Sequence, residues 1–421
     1  MSQLIRQACA AIALLLTAMS GVHAQSTVSG SDWSTLLKEV LQHHPNIQTK
    51  RMLLEATHQG VEVAKRQYWP TPSVSVDTGP KNFSGEDKAL TFRLSIPLYV
   101  GTLSVESEIA QLREQRANVD VDLAAREIAN ELAGLYRLWW QRSAEQGVLA
   151  ESVHEMAKIN AMVQRRADAG VSSRVDALHA QSQLQELKRA LAIAEQQKQQ
   201  ALTQINAMTA GPPIALINAS GIPDLHQAPT EVWLARVEDS HPQVTQALID
   251  RSLAQAEVSK ARASMQPSVR LKVERQYGSY LGTLGPGKRV SISSDVQFGA
   301  GFSAVTQTEQ VQAQALAAQT QVRNVRTSLK KETVKLLHEE QNALVQGQNV
   351  SQQIQIQMAL VEAGLRLFKT GRRSWQELLN LVRDLHRLRM QAVAAQATLL
   401  EARWRLEVLA DWVPGWSFKA L

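Results

Sequence analysis

Polar and apolar positions follow two rhythms along this chain, and the pair of rhythms occurs twice. Leu90, Phe92, Leu94 and Ile96 are separated by Thr91, Arg93 and Ser95. Val290, Ile292, Val296 and Phe298 alternate with Ser291, Ser293, Asp295 and Gln297, and Val269, Leu271 and Val273 with Arg270, Lys272 and Glu274. Val74 and Val76 stand among Ser73, Ser75 and Asp77. A period of two predicts strands with one apolar and one polar face. The other rhythm is helical. After Gly101 no proline occurs until Pro212, and after Pro286 none until Pro414. The first of these windows predicts a helix from about Thr102 to Arg165, on the order of 95 Å long, a break around Gly170, and a second helix from about Ser173 to Ala210. Ile109, Leu112, Val119 and Leu123 trace one apolar stripe; Val121, Ala124, Ile128, Leu132, Leu135 and Trp139 trace another, offset. Stripes on two sides predict helical neighbours on two sides.

The same plan is written twice. His44-Pro45-Asn46 and His241-Pro242-Gln243 are 197 positions apart, as are Pro70 and Pro267. Gly170 and Gly371, 201 apart, each stand where a left-handed helix-ending residue belongs, and Ser173 and Ser374 can cap the helices that follow. Each half reads as a medium helix (Ser31 or Asp32 capping the first), two strands, a very long helix and another helix. The expected division is a leader over 1–24, a first repeat over 25–213, a connector over 214–229, a second repeat over 230–413 and a tail over 414–421. A unit that cannot bury its own apolar faces packs against its twin or against further copies, which points to a wall or tube.

Composition narrows the function classes. Aromatic residues make up 5% of the 421, which suits closely packed long helices rather than one large core. The net charge of +6 is spread along the chain, with no basic stripe of the kind that tracks nucleic acid. Arg6, the apolar run from Ala8 to Met19 and Val22-His23-Ala24 read as an export signal cleaved after Ala24. The only cysteine, Cys9, lies inside that leader, away from the cleavage point, which argues against a lipid-anchored N-terminus. No other stretch is apolar enough for a membrane helix, so an exported chain of this kind is periplasmic, secreted or part of an outer-membrane barrel. The strands fit either of two readings: surface hairpins on a small core, or barrel strands with lipid on one side and water on the other. Tyr99, Tyr277 and Tyr280 near strand ends suit an interfacial girdle. Four strands cannot close a barrel alone, so the barrel reading requires several chains.

Chemistry-bearing motifs are sparse. Gly282-Thr283-Leu284-Gly285-Pro286-Gly287-Lys288 approaches a phosphate loop, but Arg289 replaces the Ser or Thr and strands follow, so it reads as a turn. His43-His44 are adjacent and do not face together, and His338-Glu339-Glu340 lacks a second histidine. Trp139-Trp140 and Trp375 read as packing residues. No nucleophile–base grouping stands out, and nothing calls for a cofactor.

Ordered through two repeats, the His-Pro openings, Ile96-Pro97-Leu98-Tyr99-Val100-Gly101 and the turn Gly170-Val171-Ser172-Ser173-Arg174-Val175-Asp176-Ala177-Leu178-His179-Ala180-Gln181 resemble the TolC-type outer-membrane efflux factors over nearly the whole mature chain. The resemblance implies a mainly α protomer with a small β part. Long antiparallel helices of three chains would form an α-barrel, and four strands from each a shared 12-stranded β-barrel in the outer membrane. It implies a homotrimer in outer-membrane lipid, docked by a periplasmic adaptor and served by an inner-membrane ABC or proton-driven transporter, with no nucleic acid. The lipid face would be Leu90, Phe92, Leu94, Val269, Leu271, Val290 and Ile292. Adaptor-docking tips would centre on Gly170, Val171, Ser172 and Ser173, and on Gly371 and Ser374. By family position Glu377 and Asn380 would line the constriction. Arg373, with Arg372, would pair with Asp176 across the tips, because Phe368 and Val175 stand where hydrogen-bonding latch partners are expected. The expected function is a passive exit duct of an efflux or type I secretion system, opened at its periplasmic tip. Missing lipidation leans toward protein secretion. The alternatives are a periplasmic adaptor, which would show one hairpin rather than a tandem repeat, and a structural coiled-coil protein.

Overall fold

The computed structural model describes residues 33–78, 88–209, 228–279, 286–296 and 298–412. The expected leader, the Ser31–Asp32 cap, Tyr280, most of the Gly282–Lys288 turn, most of the connector and the tail lie outside the described residues.

The first half runs through α1 (Trp33–His43), α2 (Pro45–Arg66), β1 (Thr71–Thr78), β2 (Lys88–Tyr99), α3 (Gly101–Asp168) and α4 (Arg174–Met208). The second repeats it as α5 (Thr230–Ser240), α6 (Pro242–Ser264), β3 (Ser268–Ser279), β4 (Gly287–Asp295), α7 (Ser303–Lys369) and α8 (Trp375–Ala410). The expected single medium helix at the front of each half is in fact two. Proline disfavours the helical conformation in the residue before it, so the chain bends at His44 (ψ 126°) and His241 (ψ 127°), and proline then opens the next helix, where no N–H is needed. The histidine serves as the cap: Nδ1 of His44 accepts the Asn46 N–H at 3.2 Å, and Nδ1 of His241 that of Gln243 at 3.3 Å. Burial first, and then the nearby Arg126 guanidinium, push the His241 imidazole down to about 3, which keeps it a neutral acceptor.

The long helices are α3 with 68 residues and α7 with 67, each about 100 Å. α3 packs along α4, and α7 along α8; α2 and α6 flank the strand-proximal stretches of α3, and α6 also contacts α7. Among the described residues, most of the large buried side chains gather in three separate clusters rather than one core. In the first, Trp33 stacks on Trp404 with centroids 4.5 Å apart, and Tyr136 and Trp139 pack beside them. A second, near the helix turns, gathers Met156, Val163, Leu184, Phe368, Trp375 and Leu378. The third joins Trp233, Val237, Leu329, Leu406 and Leu409. Trp139 and Trp375 are thus packing residues.

All four strands form one antiparallel sheet in the order β1-β2-β3-β4, so pairing of β2 with β3 knits the two halves together.

Candidate functional site

Two regions carry the expected functional residues: the sheet, and the turns at the far ends of the long helices. In the sheet the register aligns the alternation of all four strands. Val74, Phe92 and Arg275 face one another in one row, Leu94, Val273 and Val290 in another, and Leu271 pairs with Ile292. This apolar surface is open in the protomer: Val74, Val76, Val290 and Ile292 are each more than 60% exposed. Val269, Leu271, Leu90 and Leu94 are half-buried on the same face. The opposite face holds Arg93, Glu274 and Arg289. Glu274 accepts from Arg93 and lies 3.6 Å from Arg289, so this carboxylate bridges arginines on both neighbouring strands. Gly278, at φ +76°, admits the carbonyl of Lys88 where a Cβ would lie 2.2 Å from that oxygen. Next to the corner where β2 becomes α3, the Tyr99 hydroxyl donates to Gln266 Oε1 at 2.8 Å.

The turns at the other end are near duplicates. Val171 N–H donates to Arg166 O at 2.8 Å and Gly170 N–H to Ala167 O at 3.0 Å; Arg372 and Gly371 repeat this on Leu367 and Phe368, both at 3.0 Å. That nested pair of bonds needs a left-handed residue, and Gly170 (φ +74°) and Gly371 (φ +75°) provide it. Ser173 Oγ then accepts from Val175 N, and Ser374 Oγ from Glu377 N, opening α4 and α8. Val171, Ser173, Gly371 and Ser374 are exposed, and Ser172 is half-buried.

Arg373 does not reach Asp176 in the protomer. Its Nε donates to Glu377 Oε2 at 3.0 Å, one helical turn along its own segment. Four-residue spacing at a helix start brings these two side chains together without help from the other tip. Asp176 sits half-buried in the first turn of α4 and makes no ion pair among the described residues. Glu377 and Asn380 share an exposed face three residues apart, and Arg372 is exposed beside them.

The bond that does join the tips was not anticipated. Arg166 Nη1 donates to Lys369 O at 2.9 Å, its Nε to Ser172 Oγ at 3.2 Å, and its guanidinium lies 4.9 Å from the centre of the Phe368 ring. Phe368, where a hydrogen-bonding side chain is expected, therefore offers Arg166 a π face instead. Repeat symmetry hides this, because the counterpart of Arg166 is Leu367. Farther along, Arg383 grips Gln183 Oε1 with Nε at 2.8 Å and Nη2 at 2.5 Å, and Arg389 meets Glu155 at 3.3 Å and Glu151 at 3.5 Å. No cluster of His, Cys, Asp and Glu suited to a metal occurs among the described residues.

Comparison with known proteins agrees with this architecture. The profile described as "Outer membrane efflux protein" matches residues 36–211. Protein CyaE of Bordetella pertussis is 26% identical over 245 residues, 55% of this chain and 52% of that protein, so the match spans about half of the relative's length. CusC, solved in a study of its folding and transmembrane channel formation, superposes with a TM-score of 0.78 at 14% identity, covering 90% of this chain and 91% of CusC. The outer membrane protein VceC of Vibrio cholerae gives 0.76 at 14% identity, covering 90% and 95%. Residues 36–211 thus resemble the outer membrane efflux protein family, and the chain as a whole has the fold of these channel structures.

Proposed function

We propose that three copies of this chain assemble into a passive exit duct. Each contributes four strands to a 12-stranded barrel in the outer membrane and its long helices to a periplasmic tunnel closed at the tips. The observation that carries this reading is the exposed apolar face of a four-stranded sheet continuous with helices of 67 and 68 residues. Four strands leave β1 and β4 with unpaired edges, which hydrocarbon does not tolerate, and closure by symmetry removes both. The turns at Gly170–Ser173 and Gly371–Ser374 are the docking surface for a periplasmic adaptor, and Glu377 with Asn380 lines the constriction. An inner-membrane ATPase or proton-driven transporter supplies the energy, since the duct itself only opens and closes. Extraction of the membrane fraction tests this. Detergent-soluble trimers that dissociate only on heating, and that conduct in planar bilayers, are expected; a soluble monomer would refute it.

A further inference from the structure

The apolar face of the sheet is not apolar to its end. Following the register outward from the helices, the row Leu94–Val273–Val290 is succeeded by Phe92–Arg275–Lys288, and two rows farther out stands Lys88 opposite Ser279. Arg275, Lys288 and Lys88 are all exposed. All three lie on the apolar side, near the strand ends that lead to the hairpin turns and away from the helices. This face carries no carboxylate among the described residues, whereas across the sheet Glu274 stands between Arg93 and Arg289. Arg275 and Lys288 are direct cross-strand partners, and like charges placed opposite one another destabilise a sheet unless an anion lies between them. The Arg275 guanidinium sits 4.8 Å from the centre of the Tyr277 ring, an amphipathic side chain suited to a membrane interface.

We propose that Arg275 and Lys288, with Lys88 above them, bind the phosphate group of an outer-leaflet lipid. This rests on the strand orientation proposed above: if the helices are periplasmic, the strand ends at Lys88, Arg275 and Lys288 point outward and these cations reach the outer-leaflet headgroups. Arg275 would offer its planar fork to phosphate oxygens and Lys288 a second charge from the neighbouring strand. Three protomers repeat the site around the barrel.

The test uses the full-length trimer in detergent, with native mass spectrometry against a bisphosphorylated acylated diglucosamine lipid and the same lipid stripped of phosphate. Wild type is expected to prefer the phosphorylated form on the order of tenfold, as two surface cations would provide. Lys288→Gln, and separately Arg275→Gln, should erase most of that preference, while Arg289→Gln on the opposite face should keep it. Equal binding of both lipids, loss of preference in Arg289→Gln as large as in Lys288→Gln, or displacement of the lipid by millimolar inorganic phosphate would each overturn the assignment. A fluorophore on Val290→Cys separates this from failure of the underlying orientation. Quenching by a lipid-borne quencher without phosphate preference sinks only the lipid site; no quenching sinks the orientation and the site with it.

Discussion

At the scale of single residues, two glutamates have opposite environments. Glu377 is exposed and shares its charge with Arg373, an arrangement worth only about 0–1 kcal/mol. Three copies at a constriction would still repel anions, so Glu377→Gln should reduce cation preference in reversal-potential measurements. An unchanged reversal potential would remove this residue from the pore lining. Glu407 is 4% exposed, one of its carboxylate oxygens has no hydrogen-bond donor in the protomer, and burial pushes its carboxyl up to about 7, against a weaker downward pull from Arg403. Between the ordinary value of 4.5 and about 7 the folded protein holds a proton that the unfolded chain releases. Its contribution is therefore most favourable below 4.5 and is lost as pH rises through 7. Glu407→Gln should raise the melting temperature at pH 8, by up to about 3 kcal/mol of stability, with little change at pH 5. Identical shifts at both pH values would contradict this.

Elements were legible in proportion to how local their causes are. The two turns could be read from Gly170, Ser173, Gly371 and Ser374, because a left-handed glycine and a serine cap act within a few residues. Long helices and strand faces could be read from periodicity and the spacing of prolines. The His-Pro pairs marked helix openings at Pro45 and Pro242, but the caps themselves were not legible, because capping by a histidine ring looks like nothing distinctive in sequence. The Arg166–Lys369 bond was equally hidden: a side chain meeting a backbone carbonyl 203 positions away leaves no local pattern. Arg166→Ala should loosen one hairpin from the other and raise the open probability in planar bilayers several-fold, corresponding to about 1–2 kcal/mol for a charge-assisted bond. Unaltered gating would show that the bond does not restrain the tips. In the sheet, Gly278→Ala would force both a strained φ and a 2.2 Å approach to the Lys88 carbonyl. It should lower the yield of heat-resistant trimer by weakening the β2–β3 pairing, at a cost of about 2 kcal/mol or more. Normal yield would show that the strands shift to accommodate it.

At the scale of the molecule, burial is spread along the helices rather than concentrated in one place. Among the described residues, most large buried side chains are divided among three modest clusters strung along helices about 100 Å long. Large apolar surfaces that an ordinary domain would bury are left open, which the proposed duct would cover with copies of the chain and with lipid. The seam between β2 and β3 makes the two halves one unit, so cutting the chain between residues 213 and 229 should leave fragments that assemble only when produced together. Independent assembly of either fragment, judged by trimer migration on gels, would contradict this.

In the proposed duct, strands β1 and β4 have one open side each, so a lone subunit would have no stable place in a bilayer and recruitment of partners would precede or accompany insertion. A cell making equal amounts of sound subunits and subunits crippled at an outer strand would then keep only about one-eighth of its pores free of a defective member, if mixing within threefold rings is random. Such alleles would behave as dominant, with their severity set by gene dosage.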